Sequence, residues 1–322
     1  MLPEHRAWRV RGVPPSFDRR RLADALRCHL LLQSPRLDAT STGHARDGVD
    51  NVRIDTLASD LHSAEQVATV RFSALPPQLR TLESKAQVSI DIPLNGDDAS
   101  ARATPPSVQT IRLTIDGHFY GTTVLCSPAD HDVDVFAVCG LGGHAFGSFV
   151  HKTEGHMWLR DSLPQHIPKA RVMTYGYDSG LQSSTNFSHL GDFARLLRVA
   201  ITRILWSATR PLILVGHSLG GLLIKEALAQ LVESDVSSLV DRVSGVLFFG
   251  VPHYGMDIES LTSMVKGQPN QPLLQSLQGV NSQVLGFQER HFSKILERKK
   301  GLKVFCFYET EESPTAAKVS VN

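Results

Sequence analysis

The stretch that most constrains this chain is PLILVGHSLGG, residues 211–221. Leu212, Ile213, Leu214 and Val215 follow one another without a polar break, the pattern of a strand covered on both faces. Next comes Gly-x-Ser-x-Gly, as Gly216, His217, Ser218, Leu219 and Gly220, then Gly221 and the helix-forming LLIKEALAQLV. A serine at a sharp strand-to-helix turn sits on strained backbone, and the residues two positions away must be small to clear strand and helix. Such a turn presents a hydroxyl at the carboxyl edge of a sheet, beside helix N–H groups that favour a developing oxyanion. This predicts Ser218 as a nucleophile and Leu219 as one oxyanion donor.

The segments around it alternate in type. DVDVFAVCG (132–140), KARVMTYGY (169–177), RVSGVLFFG (242–250) and GLKVFCFY (301–308) read as strands. Asp192 to Trp206 and Ser282 to Lys299 read as amphipathic helices. Strands alternating with helices predict a mostly parallel α/β sheet, the α/β-hydrolase arrangement, over residues 108–322. IRLTIDG and GTTVLCS are expected to open it as an antiparallel hairpin.

Upstream, AWRVRGV (7–13) reads as a strand and a helix capped by Ser16 or Asp18 runs to Leu31. A polar loop covers 34–50, followed by VRIDTLA, QVATVRF, a short helical piece near Leu79 to Leu82, and VSIDIP. The order βαββαβ predicts a small ferredoxin-like domain over 1–93, similar to an RNA-recognition motif. A base-stacking platform is missing from its central strands: Arg9 and Arg11 lie in the first, and the third carries Ala68 and Val70, with Phe72 its only aromatic. No nucleic-acid partner is expected. LNGDDASARATPPS (94–107) reads as the linker.

Composition narrows the function classes. Lys+Arg 33 against Asp+Glu 32 leaves a net charge of +1, so no global field attracts nucleic acid or anionic surfaces. No run approaches the roughly 18 apolar residues of a membrane span. The arginine-rich start is followed by Pro14, Pro15 and a strand pattern, which favours a folded domain over a presequence. The expected compartment is the cytosol, with Cys28, Cys126, Cys139 and Cys306 as reduced core thiols.

Further candidates follow from position. CGLGGHAFGSF (139–149) succeeds a strand and predicts the second oxyanion N–H at Leu141. A phosphate loop is disfavoured, because GxxxxGK[ST] is absent, and no cofactor is predicted. His151 and His156 lack HExxH or a cysteine pair, so no metal is predicted either. In this fold the acid and then the histidine follow the serine in the chain. Glu309, just after the strand ending at Tyr308, fits the acid, with Asp257 the alternative. Only ETEESPTAAKVSVN remains from there, and all fourteen histidines precede it. His217 reads as a packing residue, and His144 and His253 as loop residues at the catalytic edge. A serine without an imidazole predicts weak ester hydrolysis, the alternative being a catalytically impaired binder of lipid or protein.

VCGLGGHAFGSF, HMWLRDSLP, RVMTYGYDS, VGHSLGGLLIKEAL, GVLFFGVPHYG and KVFCFYET together resemble the fungal branch of the serine esterase family that includes the serine active site containing protein. The resemblance covers about residues 108–310. It implies a lipase-like or acyl-transferring hydrolase acting on carboxylic esters, with acyl lipids as substrates. It also implies peripheral association with mitochondrial or endoplasmic reticulum membranes, in a family linked to phospholipid remodelling. Ser218 matches the nucleophile and the turn at Leu141 the oxyanion loop. Cys139 stands where the family has the histidine of HGLGG, and the family's downstream histidine segment has no counterpart. The resemblance thus implies a hydrolase domain cut short at its carboxyl end.

Overall fold

A computed structural model describes residues 6–31, 51–80, 82, 86–93, 110–151, 153–181, 184–207, 209–256, 258, 261, 265–278 and 282–310. The loop expected over 34–50, the linker expected over 94–107 and the alternative acid Asp257 lie outside these residues.

The chain forms two sheets. The first contains β1 (Ala7–Val13), β2 (Val52–Ser59), β3 (Gln66–Phe72), β4 (Gln87–Pro93) and β5 (Thr110–Asp116), with α1 (Arg19–Leu26) and α2 (Pro77–Arg80) between strands. The Asp18 carboxylate starts α1 by accepting the Arg21 N–H at 2.7 Å, and a π-helical turn, Arg27–Leu31, continues it. The strand order is β2-β3-β1-β5-β4. A ferredoxin-like sheet would place β4 beside β1, but here β5 takes that position, pairs antiparallel with both, and pushes β4 to the edge.

The expected hairpin of β5 with the following strand is therefore not formed. β5, grouped by sequence with the hydrolase, belongs to the first sheet, while β6 (Gly121–Cys126) pairs with β8 (Ala170–Gly176). The reason is Asp116 at the end of β5. Its carboxylate receives Arg9 of β1 through two hydrogen bonds, 2.9 and 3.2 Å, and Arg9 also donates to Thr123 Oγ1 of β6 at 2.9 Å. All three residues are buried. A buried guanidinium without its carboxylate is costly, so this pair ties β5 to β1.

The second sheet adds β7 (Val133–Val138), β9 (Leu212–His217), β10 (Val243–Phe249) and β11 (Lys303–Phe307) in the order β11-β10-β9-β7-β8-β6. Every pairing is parallel except β6 with β8. Short helices α3 (Trp158–Asp161) and α4 (Leu163–His166) precede β8, and α5 (Leu190–Ser207) links β8 to β9. Helix α6 (Leu219–Val232) follows β9, α7 (Gln271–Gln275) and α8 (Gln283–Arg298) precede β11, and Ser282 caps α8. α6 is apolar nearly all round and almost wholly buried. Six strands in this order, with a strained turn joining the middle strand to a buried helix, are the α/β-hydrolase fold predicted from the elbow. The chain runs from β7 outward to β8, then returns past β7 to β9. This reversal leaves a crevice at the carboxyl ends of β7 and β9, where open α/β sheets bind ligands.

The sheets pack together. Ala7, Ala58 and Val67 of the first share the core of the second, and Arg160 reaches Asp55 at 3.4 Å. Phe72, the only aromatic of β3, is buried, as is Trp8 of β1. Cysteine placement differs from the expectation: Cys139 is buried, but Cys28 and Cys306 are exposed.

Candidate functional site

Ser218 is one of two described non-glycine residues with positive φ, at φ 51° and ψ −127°. Its N–H donates to the Phe249 carbonyl at 2.9 Å, and its own carbonyl accepts Gly221 N–H at 3.0 Å. The neighbouring glycines leave the room that this conformation needs. A Cβ on Gly216 would lie 2.5 Å from Gly221 Cα, and one on Gly220 would lie 2.4 Å from the Val138 carbonyl oxygen. One on Gly140 would come within 2.8 Å of Ser218 Cβ itself. These approaches are to backbone or to the serine, so no rotamer change relieves them.

The glycine-rich turn after β7 lies directly across from the serine. Gly142, at φ +61°, donates its N–H to Ser179, 2.9 Å to the carbonyl and 3.1 Å to Oγ, and Gly143 N–H returns to the Gly140 carbonyl at 3.1 Å. Tyr177 donates its hydroxyl to the Cys139 carbonyl at 3.1 Å, and Ser179 Oγ donates to that of Gly140 at 3.4 Å. Tyr177 and Ser179 thus brace the turn, a role the sequence reading missed. Their only sequence signal is the GYDS run just after β8. Two of the turn's amides are engaged within this brace, and Leu141 lines a cavity together with Ser218 and Leu219.

That cavity has a volume of about 460 Å³. Glu309 lies on its wall, placed there by β11, and a Cβ on Gly250 would stand 3.1 Å from Glu309 Oε1. The four predicted positions Ser218, Leu219, Leu141 and Glu309 therefore meet around one space. Its remaining wall is largely apolar, with Leu181, Met256, Leu261 and Leu277.

The histidines separate by environment. His144 is fully used by backbone: its Nδ1 accepts N–H groups of Phe146 and Gly147 at 3.2 and 3.0 Å, which requires Nε2–H to donate to the Gly117 carbonyl at 2.8 Å. Burial, the largest cause, lowers its pKa, so it is a neutral structural residue. His217 packs edge-on to Phe149, and its Nδ1 is buried without a hydrogen-bond partner; burial lowers its pKa and the charge of Glu309 opposes this. His253 is the histidine among the described residues that lines the cavity. It stands edge-on to Phe248, with Nε2 4.0 Å from Cys306 Sγ. Burial first, then the charge of Lys225, brings its pKa down to about 4 against the pull of Glu289. Among the described residues no imidazole hydrogen-bonds Ser218 Oγ. Cys139 has its thiol pushed up to about 12 by burial and is not a nucleophile.

His151 and His156 are joined through backbone, His151 N–H to the His156 carbonyl at 2.7 Å. No group of three or more potential metal ligands occurs among the described residues.

No family model matches the chain. Protein SERAC1 of zebrafish (Danio rerio) is 30% identical over 144 residues, which are 38% of this chain and 22% of that protein. Human (Homo sapiens) Protein SERAC1 is 28% identical over 109 residues, 30% of this chain and 16% of that protein. The matched region thus spans about a fifth of the length of these curated relatives. Among solved structures, phospholipase PlaB from Legionella pneumophila matches at 12% identity and TM-score 0.43, over 58% of this chain and 41% of that one. Bacillus licheniformis lipase BlEst2 matches at 17% identity and TM-score 0.33, over 57% and 70%. The chain is therefore similar to SERAC1 proteins at low identity, and its structural neighbours are α/β-hydrolase lipases and phospholipases.

Proposed function

We propose that this chain is a serine hydrolase of carboxylic esters with apolar acyl groups, and that Ser218 is its nucleophile. One observation carries the reading: a serine at φ 51° shares an apolar cavity with the turn of Leu141, the amide-bearing start of α6 and Glu309. Ser218 Oγ attacks the ester carbonyl while the N–H groups of Leu141 and Leu219 hold the oxyanion. The serine proton passes to His253, which burial keeps neutral at pH 7, and then to the departing alkoxide. Water hydrolyses the acyl-serine in a second cycle. Glu309 occupies the acid position. A base with a pKa near 4 is far from the ideal near the working pH, so the predicted turnover is slow. Acyl lipids, including those of phospholipids, fit the apolar wall formed by Leu181, Met256, Leu261 and Leu277.

A second reading, a binder of esters without turnover, is favoured by the missing hydrogen bond from any described imidazole to Ser218 Oγ. One experiment separates the two: a fluorophosphonate probe and a p-nitrophenyl ester series applied to the protein, Ser218→Ala and His253→Gln. The hydrolase reading predicts labelling that Ser218→Ala removes and hydrolysis that His253→Gln lowers at least tenfold, within the range of lost general-base catalysis. An ester analogue that binds while Ser218 stays unlabelled establishes the binder.

A further inference from the structure

A second cavity, of about 630 Å³, lies where the two sheets meet α5. It has no lining residue in common with the cavity at Ser218, so a ligand held there is independent of the chemistry proposed for that serine. One wall is α5 from Phe193 to Arg203, about 15 Å at 1.5 Å per residue. Leu196 and Val199, exposed by 53% and 38%, are the apolar residues that this helix presents to the groove instead of the core. Tyr175 and Tyr177 continue the wall: the Tyr177 ring centroid is 6.5 Å from that of Tyr175 and 5.1 Å from that of Phe193. An apolar groove of this size with a few convergent polar groups has the general form of a small-molecule site.

Charge defines what this groove fits. Near Tyr177 the Asp178 carboxylate is engaged, accepting the Tyr120 hydroxyl at 3.0 Å and Asn186 Nδ2–H at 3.2 Å. Elsewhere in the groove cations outnumber carboxylates. Arg9 and Arg11 share the single carboxylate of Asp116, at 2.9 and 3.4 Å. Asp60 Oδ2 accepts the His62 N–H at 3.4 Å and the Ser63 hydroxyl at 3.1 Å. Arg203 forms no ion pair among the described residues. Burial lowers the pKa of His62, Asp60 opposes this, and the charge of Arg203 adds to the lowering, which makes the three neighbours. Three guanidinium groups against Asp116 and Asp60 leave one positive charge. A singly charged anion neutralises it, whereas a phosphate dianion would overshoot and meet Asp60. Rings on the wall gain edge contacts with a flat aromatic body, and the planar fork of Arg203 matches a carboxylate.

We infer that this groove binds an aromatic monocarboxylate, with its ring against Phe193 and Val199 and its carboxylate at Arg203. The test is calorimetric titration of naphthoate into the full chain, Arg203→Gln and Val199→Glu. Val199 and Arg203 are both exposed on α5, so each variant should keep the circular dichroism of the parent. Naphthamide, which keeps the ring and loses the charge, and octanoate, which keeps the charge and loses the ring, are titrated in parallel. The expected dissociation constant for naphthoate is below about 1 mM. Arg203→Gln should weaken it about tenfold by removing the charged hydrogen bonds, and Val199→Glu should abolish it by setting a carboxylate against the ligand. Naphthamide and octanoate should each bind at least about fivefold more weakly than naphthoate. Absent naphthoate binding, or naphthamide or octanoate binding as tightly as naphthoate, overturns the proposal. So does binding that either variant leaves unchanged, the mark of a ligand held in the cavity at Ser218 instead.

Discussion

Two residues in this chain, Phe119 and Ser218, hold nearly the same left-handed φ, 55° and 51°, for different ends. Phe119 lies in the short connection between the two sheets and is completely buried. Its N–H donates to Asp116 Oδ1 at 2.9 Å, and its ring packs against His144 and Phe146. Its carbonyl is so close to Gly176 that a Cβ there would stand 2.3 Å away. Ser218 faces a cavity instead, and the same backbone cost aims a hydroxyl into open space. Strain of about 1–3 kcal/mol per such residue persists only where surroundings over-determine it. At Phe119 the aromatic packing and Asp116 enforce it; at Ser218 the close backbone packing at Gly140, Gly216 and Gly220 does. Backbone strain alone therefore does not mark a site. Strain beside a cavity, with polar groups converging, does.

That contrast can be tested through substitutions that separate fold from site. Phe119→Ala removes a buried ring and keeps the left-handed strain, so it should cost about 3–5 kcal/mol in urea unfolding. Phe119→Gly deletes one carbon more yet relieves the strain, and should be about 1 kcal/mol less damaging than alanine. If glycine proves the worse of the two, the strain at Phe119 is not real. Gly220→Ala pushes a methyl against the Val138 and Cys139 carbonyls, 2.4 and 2.5 Å away, and should cost about 2–3 kcal/mol while also suppressing fluorophosphonate labelling. Labelling retained at full rate would show that the elbow tolerates a side chain there.

The pH dependence of stability gives a smaller effect. The folded pKa of His253, about 4, lies below its ordinary value of 6.5, so between these pH values the unfolded chain binds a proton that the folded chain refuses. Stability from this group is complete above about pH 6.5 and declines as pH falls toward 4. At a half-buried, partly screened ring the decline should be about 1–2 kcal/mol. Urea titrations at neutral and mildly acidic pH should show this component in the parent and not in His253→Gln. Smallest of all, Ser218→Gly should raise stability by about 1 kcal/mol through relief of the positive φ. A destabilised glycine variant would mean that the hydroxyl, not the backbone, is what the surroundings accommodate.

The elbow half of this comparison is legible from residues in a row. Leu212 to Gly221 contains the strand, the strained serine and the small neighbours, and local pattern suffices for each. The placement of the glycine-rich turn at Leu141 and of Glu309 on the cavity follows from their positions after strands. The Phe119 half is not legible, because its causes are distant in the chain. Arg9 and Asp116 are 107 residues apart, and nothing in TIRLTID distinguishes a strand that joins β1 from one that opens the second sheet. The brace on the glycine turn from Tyr177 and Ser179 is hidden in the same way, as is the loss of His144 to backbone amides. Periodicity reports which face of a strand is apolar. It does not report which neighbour that strand chooses.

The central claim is that the strain at Ser218 serves chemistry. Its most direct test is mass spectrometry of the protein after brief exposure to a fluorophosphonate, with peptide mapping of the adduct and Phe119→Gly and Ser218→Ala treated in parallel. The account predicts a single adduct on Ser218, retained in Phe119→Gly wherever that variant is folded and absent from Ser218→Ala. An unmodified Ser218 in folded protein, or an adduct of equal yield on another serine, would contradict it.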